Sequence, residues 1–453
     1  MSRLKTGLLL AILLCGLCGS ACTQQQDVMV GAYYYPWYGP GTGGHGFHST
    51  LRDHLVPKQA PALGHYNSAD TDVIAEHIRQ SVMANIHFWA CSWWGPGSYE
   101  DKALRNHILP HASAGKLKYA ILYESTGRLG SFSDPDYARL LPDFTYLSAH
   151  YFEQPHYLRI DGRPVVFIYL TRVYFRDRGD QALADLRAAF PSLYIVADDV
   201  FGRNYKSSYA AKWDAVTAYD VYGQTMQAFG STQAALSRLD AILNDARAAA
   251  NSVNVGLIPF ACPGFNDRAV RSGHTGAPRY FQDDPQSVEG DFFRSMLRDV
   301  VVPQADPLAK NVLMITSFNE WHEDTQIEPT AGTSGTTALD DSAAGNDYTQ
   351  GDRYTDYGYL YIDILRQETC NVLGDLDHDC RVDMEDFSLF ALWWMAMDCN
   401  ECDGSNLDGD GAVNAADLEM LAGNWLTEKC YSYLPSARHR NSFPATPYFS
   451  ATK

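Results

Sequence analysis

Residues 312–330 read VLMITSFNEWHEDTQIEPT, and the rest of the chain is interpreted around them. Val312 to Ile315 form a short apolar run of strand formers, which is typical of a strand buried on both faces. Polar side chains follow at once, among them Asn319, Glu320 and Glu323. Because carboxylates are costly to place at the end of a buried strand without partners, this crowding indicates a functional site.

The spacing of two carboxylates in this stretch restricts its shape. Glu320 and Glu323 are three positions apart, so on a continuing strand they would point to opposite faces. They converge only if the chain turns directly after the strand. Two converging carboxylates can hold different pKa values and serve as acid and base, the usual equipment for glycoside cleavage. Trp321 would add a sugar-stacking face and His322 a hydrogen-bonding group; the alternative is an ordinary charged loop after a strand.

The motif SFNEWHEDTQIEP resembles the signature of glycoside hydrolase family 99, which contains the endo-α-mannosidases and their broader bacterial relatives. The resemblance implies that Glu320 and Glu323 are the two catalytic glutamates, with Glu320 as general base and Glu323 as general acid/base of a retaining reaction. Asp324 departs from the family pattern, which has Gly there. If this position needs a positive φ, Asp tolerates it less well than Gly, so we expect the loop and the sugar preference to differ.

Composition limits the class of protein. The chain has 453 residues, a net charge of −19 and 46 % hydrophobic residues, enough for a large core and two or three domains. The negative charge argues against a nucleic-acid partner, because cations dominate binding to phosphate. Aromatic residues reach 13 %, which together with the acidity suits a neutral or cationic polymer.

Strand-like runs alternate with amphipathic segments along most of the chain. The predicted strands are Val28–Tyr35, His87–Trp94, Lys118–Ser125, Pro164–Tyr169, Leu193–Val200, Asp214–Asp220, Val253–Pro259 and Val312–Phe318. This order predicts an α/β fold, a (β/α)8 TIM barrel over residues 28–369, here called the barrel domain. A doubly wound open sheet is the alternative, although no Gly-rich nucleotide fingerprint follows any strand.

The ends of the predicted strands carry aromatic and acidic residues. In a barrel the active site lies at the carboxyl ends of the strands. YYYPWYGPG after the first strand and SWWGPG after the second also resemble the family's motifs, so the resemblance covers roughly residues 29–366. Packing at the barrel rim is the ordinary role of such rings, but rings and carboxylates together suit pyranoses. The predicted substrate contacts are Tyr35, Trp94, Glu124, Tyr222, Trp321 and His322.

The first residues have the pattern of a secretory signal. Arg3 and Lys5 precede an apolar run, and small residues lead to Cys22, so residues 1–22 are predicted to be a signal peptide. Cleavage near Ala21 and lipidation of Cys22, as in a bacterial lipoprotein, both fit the sequence. The protein is therefore predicted to be exported, as a secreted, periplasmic or cell-surface protein, with contact to the membrane only through such an anchor.

Residues 371–430, here called the tail domain, contain a repeat. GDLDHDCRVDMEDFSLFALWWM aligns with SNLDGDGAVNAADLEMLAGNWL at a constant offset. Each copy has oxygen-bearing side chains at positions 1, 3, 5, 9 and 12 of a calcium loop, followed by a helix. The predicted calcium ligands are Asp375, Asp377, Asp379, Asp383 and Asp386 in the first loop, and Asn406, Asp408, Asp410, Asn414 and Asp417 in the second.

The duplicated loop resembles a dockerin domain, in the cysteine-bearing form of planctomycete-like bacteria. The resemblance implies a small all-α domain that binds structural calcium and a cohesin-like partner. Cys380 departs from the pattern by replacing the Gly of the first loop, which predicts weaker calcium binding or a disulfide there. Cys399-x-x-Cys402 alone would fit half a zinc site, but export and the nearby Cys380 favour disulfides. The tail beyond residue 430 is predicted to be disordered.

The sequence thus predicts an exported glycoside hydrolase that acts on an α-mannan-like or related polysaccharide and needs no cofactor for catalysis. Two alternatives remain at this point. One is a carbohydrate-binding barrel without turnover, against which the presence of both glutamates weighs. The other is a polysaccharide-biosynthesis protein, against which the signal and the docking module weigh.

Overall fold

A parallel β-sheet that curls on itself forms the centre of the fold. The computed structural model describes residues 28–41, 43–332, 337–338, 348–370, 372–377, 380–397, 402 and 404–427. Its strands are β1 (Met29–Tyr34), β2 (Ile86–Trp93), β3 (Lys118–Tyr123), β4 (Arg159–Ile160), β5 (Arg163–Ile168), β6 (Tyr194–Asp198), β7 (Ala215–Thr217), β8 (Gly256–Leu257), β9 (Phe260–Ala261), β10 (Val312–Ile315), β11 (Thr337–Ala338) and β12 (Tyr354–Thr355).

The pairing order shows how the sheet curls. From β8 the order runs through β7, β6, β5, β3, β2 and β1 to β10 and β9, and these neighbours are parallel. Since β8 and β9 are two parts of one stretch, 256–261, the sheet returns to its starting point. The fold is therefore α/β with a curled parallel sheet, consistent with the predicted TIM-like barrel. In addition, β4 pairs with β5 in antiparallel orientation, and β11 and β12 form a separate antiparallel pair.

The predicted seventh strand, Val253–Pro259, differs most from the structure. Only Gly256 and Leu257 of it form a strand, β8, which pairs with β7; beyond Ile258 and Pro259 the chain continues as β9, which pairs with β10. Proline has no N–H to give to a ladder, which explains why the strand is interrupted there. The backbone still connects both sides, because Ile258 N–H donates to Val216 O at 2.8 Å and Met314 N–H donates to Pro259 O at 2.9 Å.

Helices follow most of the strands, as the amphipathic pattern predicted. The α-helices are Thr71–Met83, Tyr99–Ala103, Ser125–Arg128, Leu140–Leu147, Thr171–Tyr174, Asp180–Ala189, Ser207–Ala210, Val221–Gln224, Met226–Phe229, Gln233–Asn251, Asp291–Ser295, Leu360–Thr369, Met384–Leu392 and Ala415–Gly423. π-Helical turns cover Leu104–Ile108, Ser148–Phe152 and Met296–Val301. The 3-10 turns are Phe47–Ser49, Leu51–His54, Ala114–Lys116, Val302–Gln304 and Pro307–Ala309. Within the described residues no helix is long and apolar enough to cross a bilayer.

Buried apolar side chains form separate clusters in the two predicted domains. The large cluster runs from Val28 to Leu365 and includes both faces of the parallel strands. This explains why β10 reads as a continuous apolar run, since all of its residues are buried. A second, small cluster contains Val382, Phe390 and Leu421 of the tail domain. The domain boundaries themselves stay predictions.

The tail domain repeats its local structure as the sequence predicted. The helices Met384–Leu392 and Ala415–Gly423 each begin with a capping box, formed by Asp383 with Asp386 and by Asn414 with Asp417. The buried Phe390 and Leu421 occupy matching positions in the two helices. The two copies therefore fold alike wherever the structure describes both.

Cysteines in the tail domain and directly before it form disulfides, which the sequence favoured over a zinc site. Cys370, at the end of the last barrel helix, is bonded to Cys380, and Cys402 is also disulfide-bonded. Cys91 and Cys262 are buried free thiols. The predicted signal peptide with Cys22, the ligand Asp379, Cys399 and the tail beyond residue 430 lie outside the described residues.

Candidate active site

A turn shortly after β10 lies between Glu320 and Glu323, the two predicted catalytic glutamates. Residues 321–324 form this turn, and Asp324 N–H donates to Trp321 O at 3.4 Å. The Glu320 and Glu323 carboxyls come close enough for the charge of Glu320 to raise the pKa of Glu323. The turn that their spacing required is present, so the two carboxyls share one end of the barrel.

Glu323 is surrounded by phenols from the segment after β7. Its Oε2 accepts hydrogen bonds from Tyr219 at 2.8 Å and Tyr222 at 3.3 Å. Burial, followed by the charge of Glu320, raises the pKa of Glu323 to about 8, while the Tyr219 hydrogen bond and Arg271 act in the opposite direction. A carboxyl in this state still carries a proton at neutral pH, as a general acid requires.

Glu320 has a different set of partners. It is buried, and its Oε1 accepts the His322 backbone N–H at 2.9 Å and lies 3.3 Å from His322 Nδ1. His322 Nε2 lies 3.0 Å from the carbonyl oxygen of Gly46, which assigns a proton to that nitrogen. Burial lowers the pKa of His322, but the hydrogen bond and charge of Glu320 outweigh it and raise the pKa above its usual value. When it is protonated at both ring nitrogens, the imidazole can donate from Nδ1 to Glu320.

Glu124 and Tyr35 line the same space as the glutamate pair. Burial, and then the charges of Glu100, Glu320 and Glu323, raise the pKa of Glu124 to about 8. Burial raises the pKa of the Tyr35 phenol, and Glu124, Glu320 and Glu323 raise it further. Because the charges of all three carboxyls act on this phenol, Tyr35 lies near the ends of both β3 and β10.

Trp94 joins this group through Ser92. The indole Nε1 of Trp94 donates to Ser92 Oγ at 2.9 Å, and this hydroxyl donates to Glu124 Oε1 at 2.7 Å. Trp94 is half-buried, so part of its ring remains available for contact. Of the predicted substrate contacts, the structure thus brings Tyr35, Trp94, Glu124, Tyr222 and His322 to the pocket.

Trp321 takes a different position from the one predicted. Only 1 % of its surface is exposed, and its ring packs with Tyr38 and Phe47 of the first long loop. Its Nε1 donates to Glu328 Oε2 at 2.7 Å. The turn directs Glu320 and Glu323 to the pocket, whereas the Trp321 side chain packs against the first long loop. The indole face is therefore not offered to a sugar.

The buried Glu328 anchors this part of the turn. Besides Trp321, it receives a hydrogen bond from Tyr66 at 2.8 Å and lies 3.0 Å from His77 Nε2. Tyr66 belongs to the first long loop and His77 to the helix Thr71–Met83. A buried carboxylate needs such partners, so Glu328 ties the turn to two other elements.

Asp324, the departure from the family pattern, lies at φ 50° in the left-handed region. Its buried carboxylate pairs with two buried arginines, Arg52 Nε at 2.6 Å and Arg279 Nη2 at 3.3 Å. Arg279 also donates to the backbone oxygens of Asp324 at 2.8 Å and Gln326 at 2.9 Å. Burial raises the pKa of Asp324, but Arg279 and Arg52 outweigh it and hold the pKa below its usual value. Two loops are thus fastened to the residue next to Glu323.

The sequence did not predict the contacts that several residues make in the site. Asn319 pairs with the backbone of Tyr35, accepting its N–H at 2.7 Å and donating to its oxygen at 3.0 Å. Arg271 Nη1 lies 3.6 Å from Glu323 Oε1. Asn319 and Tyr219 could have been found from the sequence, because each follows a strand of the sheet. Arg271 lies in a loop of the barrel domain whose path only the tertiary structure gives.

A second acidic group lies in the tail domain. Oxygens of Asp375, Asp377 and Asp386 come within 4.8 Å of one another. Asp386 also accepts backbone N–H groups, from Leu376 at 2.6 Å and Asp383 at 2.7 Å. In the second loop, Asp417 binds its backbone in the same way, while Asp408 and Asp410 accept N–H groups of their own loop. The first loop is therefore a possible metal-binding group.

Comparison with known proteins places the chain among the glycoside hydrolases. The sequence profile described as Glycosyl hydrolase family 99 matches residues 28–350. Mouse glycoprotein endo-alpha-1,2-mannosidase is 25 % identical over 341 residues, which cover 66 % of this chain and 67 % of that protein. The GH99 endo-alpha-mannosidase of Bacteroides thetaiotaomicron has a TM-score of 0.49 at 21 % identity, over 74 % of this chain and 94 % of that one. A solved glycoside hydrolase-like protein has a TM-score of 0.50 at 18 % identity, over 77 % and 95 %.

The family profile identifies the chain as a glycoside hydrolase, and the curled parallel sheet is consistent with that class. The chain belongs to glycosyl hydrolase family 99, because the family profile covers most of its length.

The Asp324 cluster gives a test of stability. Asp324→Asn keeps the shape of the side chain but leaves Arg52 and Arg279 without their shared charge, so it should lower the free energy of unfolding by about 3–5 kcal/mol. Urea unfolding followed by circular dichroism measures the change. The control is Asp299→Asn, which weakens the exposed pair with Arg298 and should cost less than about 1 kcal/mol. Equal costs for both variants would contradict a structural role for the buried pair.

Proposed function

We propose that this protein cleaves α-mannan-like or related polysaccharides with retention of configuration, Glu320 acting as general base and Glu323 as general acid/base. The observation that carries the proposal is the turn after β10, which pairs two buried carboxyls of unequal surroundings. The raised pKa of Glu323 suits an acid. The donors around Glu320 suit a carboxylate that receives a proton and returns it.

The first half of the reaction uses the substrate's own hydroxyl as nucleophile. Glu320 takes the proton of the sugar's 2-hydroxyl, and that oxygen attacks the anomeric carbon. The bond to the leaving oxygen breaks while Glu323 gives this oxygen its proton. The product of this half is a 1,2-anhydro sugar, and neither glutamate forms a covalent bond to it.

The second half reverses the roles of both groups. Glu323, now ionised, takes a proton from water as the water oxygen attacks the anomeric carbon. The bond between that carbon and the 2-oxygen breaks, and the oxygen recovers its proton from Glu320. Two displacements at the anomeric carbon leave its configuration unchanged. Two other two-carboxylate schemes compete with this one: attack by a protein nucleophile, and direct inversion by water. Inversion would give a product of the opposite anomeric configuration, so the configuration of the product distinguishes it from the proposed reaction.

Five side chains are proposed as substrate contacts. The half-buried Trp94 ring offers a stacking surface, and Tyr35, Glu124, Tyr222 and His322 offer hydrogen-bonding groups around the carboxyl pair. Glu124 would remain protonated near neutral pH and could donate to a sugar hydroxyl. The α-mannoside assignment is supported by the name of the mouse relative, a glycoprotein endo-alpha-1,2-mannosidase.

The tail domain is proposed to bind calcium and dock onto a cohesin-like protein. Calcium–oxygen distances of about 2.3–2.6 Å allow ligand oxygens roughly 5 Å apart across the ion. The spacing within the Asp375, Asp377 and Asp386 group fits this range. Calcium would act on folding and not on catalysis. The predicted signal peptide would export the enzyme, and the tail domain would attach it to the cohesin-like protein.

Removal of either carboxylate tests the assignment. Glu320→Gln and Glu323→Gln should each reduce turnover of α-mannan oligosaccharides by at least about 100-fold, because general acid or base catalysis is lost while shape is kept. Product analysis by NMR with wild-type protein should show release of an α-configured oligosaccharide. Near-normal rates in either variant would remove that residue from the mechanism. A β-configured first product would replace retention by inversion.

The rate should fall at alkaline pH. As general acid, Glu323 must be protonated, and its pKa is raised to about 8. Activity therefore persists through neutral pH and is lost as pH rises through that value, about 3.5 pH units above the pKa of an ordinary Glu. Initial rates of kcat/KM between pH 5 and 10 measure this. Loss of activity between pH 5 and 6 would contradict a protonated Glu323 in the free enzyme.

Calcium should stabilise the tail domain. Chelation should lower the melting temperature of the transition that reports this domain, and added calcium should restore it, because metal binding to the folded state adds to stability. Asp377→Ala should weaken the effect, whereas Glu385→Gln, an exposed acidic residue outside the group, should not. Differential scanning calorimetry measures both. An unchanged transition on chelation would count against calcium loops.

A further inference from the structure

The backbone of Tyr219 is held from two sides. Its N–H donates to Asp198 Oδ1 at 3.1 Å, and its carbonyl oxygen accepts the Thr316 hydroxyl at 3.0 Å. Asp198 is the last residue of β6, whereas Thr316 directly follows β10. The Tyr219 phenol in turn donates to Glu323 Oε2 at 2.8 Å. The residue that contacts the proposed acid is therefore fixed by two other strands of the barrel domain.

Both carboxylate oxygens of Asp198 are occupied by donors. Its side chain is 3 % exposed. Besides the Tyr219 N–H on Oδ1, Oδ2 accepts the Leu170 N–H at 2.9 Å, and Arg172 Nη1 lies 3.4 Å from both oxygens. Because all of these partners are donors, Asp198 is an acceptor that joins the segments after β5 and β7. It therefore supports the pocket from behind.

Arg172 extends this support to the second phenol on the proposed acid. Its Nη2 lies 3.3 Å from Asp220 Oδ2. The other oxygen of Asp220 caps the short helix Val221–Gln224, which carries Tyr222. The Tyr222 phenol donates to the same glutamate oxygen as that of its neighbour, at 3.3 Å. The ion pairs of Arg172 with Asp198 and Asp220 thus lie beneath both phenols.

The hydrogen bond from Tyr219 affects the proton of Glu323. It lowers the pKa of Glu323, opposing burial and the charge of Glu320. An O–H···O hydrogen bond holds only over about 2.5–3.0 Å. A small movement of the Tyr219 backbone would therefore weaken this bond and let the pKa of Glu323 rise further.

We propose that Asp198 and Thr316 are positioning residues for the acid step, because together they fix Tyr219 and the hydrogen bond that it donates to Glu323. The inference rests on the proposed function, in which Glu323 is the acid. It gives a role to two buried side chains that act on the reaction through another residue. A consequence is that both affect kcat and its pH dependence more than KM.

The sign of the pH effect separates positioning from charge. If Asp198 acted only through a negative charge, its removal would lower the pKa of Glu323, because fewer anions would oppose ionisation. Loss of the Tyr219 hydrogen bond would instead raise that pKa. Burial raises the pKa of Asp198 itself, against Arg172 and the two backbone donors.

Other titratable or charged groups surround both carboxyls. Those that interact with Glu323 are Tyr35, Glu124, Tyr169, Tyr219, Tyr222, Cys262, Asp267, Arg271, Glu320 and His322. Those that interact with Asp198 are Tyr33, Tyr169, Arg172 and Asp220.

Asp198→Asn tests the proposal in the full-length enzyme. The amide presents one acceptor and one donor group where two backbone N–H groups need acceptors, so the chain at Tyr219 should shift. On α-mannan oligosaccharides, kcat should fall about 10-fold while KM changes by less than about 3-fold. The alkaline limb of kcat/KM should move upward by about 0.5 to 1 pH unit.

Tyr219→Phe shows whether this shift passes through the phenol. It deletes the hydrogen bond itself, so it should move the alkaline limb in the same direction. Adding Asp198→Asn to Tyr219→Phe should then move the limb by less than about 0.2 pH unit, because the bond that Asp198 positions is already absent.

A milder pair of variants approaches Tyr219 from β10. Thr316→Val removes the hydroxyl that donates to the Tyr219 oxygen, and it should move the alkaline limb upward by at least about 0.3 pH unit. Thr316→Ser keeps the donor and should give the wild-type limb. This pair decides the proposal if Asp198→Asn does not fold.

Asp214→Asn is the matched control for Asp198→Asn. Asp214 also pairs with arginine, in its case Arg163 and Arg187, and it accepts the Ile195 N–H at 2.9 Å. It precedes β7 and so lies at the amino end of the barrel, opposite the active end. The variant should lower stability but leave the alkaline limb unchanged and kcat within about 2-fold of wild type.

The outcomes separate this inference from the proposed function. An upward limb in Asp198→Asn and Thr316→Val, restored by Thr316→Ser and absent in Asp214→Asn, supports the inference. A limb that stays or moves downward in either folded variant overturns it, as does an undiminished effect of Asp198→Asn in the Tyr219→Phe background. These results leave the proposed function intact. Absence of cleavage by wild-type protein overturns the proposed function, and this inference with it.

Discussion

The ion cluster around Asp324 is the constraint on which the active end of the barrel depends. Asp324 sits in the left-handed region directly after Glu323, and its carboxylate is shared by Arg52 and Arg279. Buried charges are tolerated only when they are paired and hydrogen-bonded, so the three side chains must stay together. Because Arg279 also holds two backbone oxygens of the turn, the path of the chain past Glu323 is fixed by electrostatics.

The remaining contacts fix the other side of the turn. Glu328 collects donors from Trp321, Tyr66 and the helix Thr71–Met83, and Asn319 pairs with the backbone of Tyr35. The turn is thus fastened to the first strand, the first long loop and the first long helix. Its two glutamates are the groups left facing the pocket. Rigid support of this kind lets a carboxyl be buried and kept protonated without losing its place.

Unequal surroundings give the two glutamates different chemistry. Burial and then the charge of Glu320 raise the pKa of Glu323, while the hydrogen bond from Tyr219 lowers it. Glu320 faces the backbone N–H and imidazole of His322. The partners of each carboxyl come from different strands, so neither environment can be assigned from the turn alone. Arg271 illustrates the point, because it approaches Glu323 from the loop after β9, and Asp267 determines where it lies.

The sequence by itself determined the alternation of strands and helices, the apolar β10, the turn needed between Glu320 and Glu323, and the repeated loops of the tail domain. These are local: they follow from periodicity, spacing and capping within a few residues. Only the tertiary structure decided that Trp321 is buried, that Pro259 splits the seventh strand between two neighbours, and that Arg52, Arg279 and Arg271 reach the turn. Those contacts join residues far apart in the chain, and the burial that sets a pKa exists only once the barrel has brought its strand ends together.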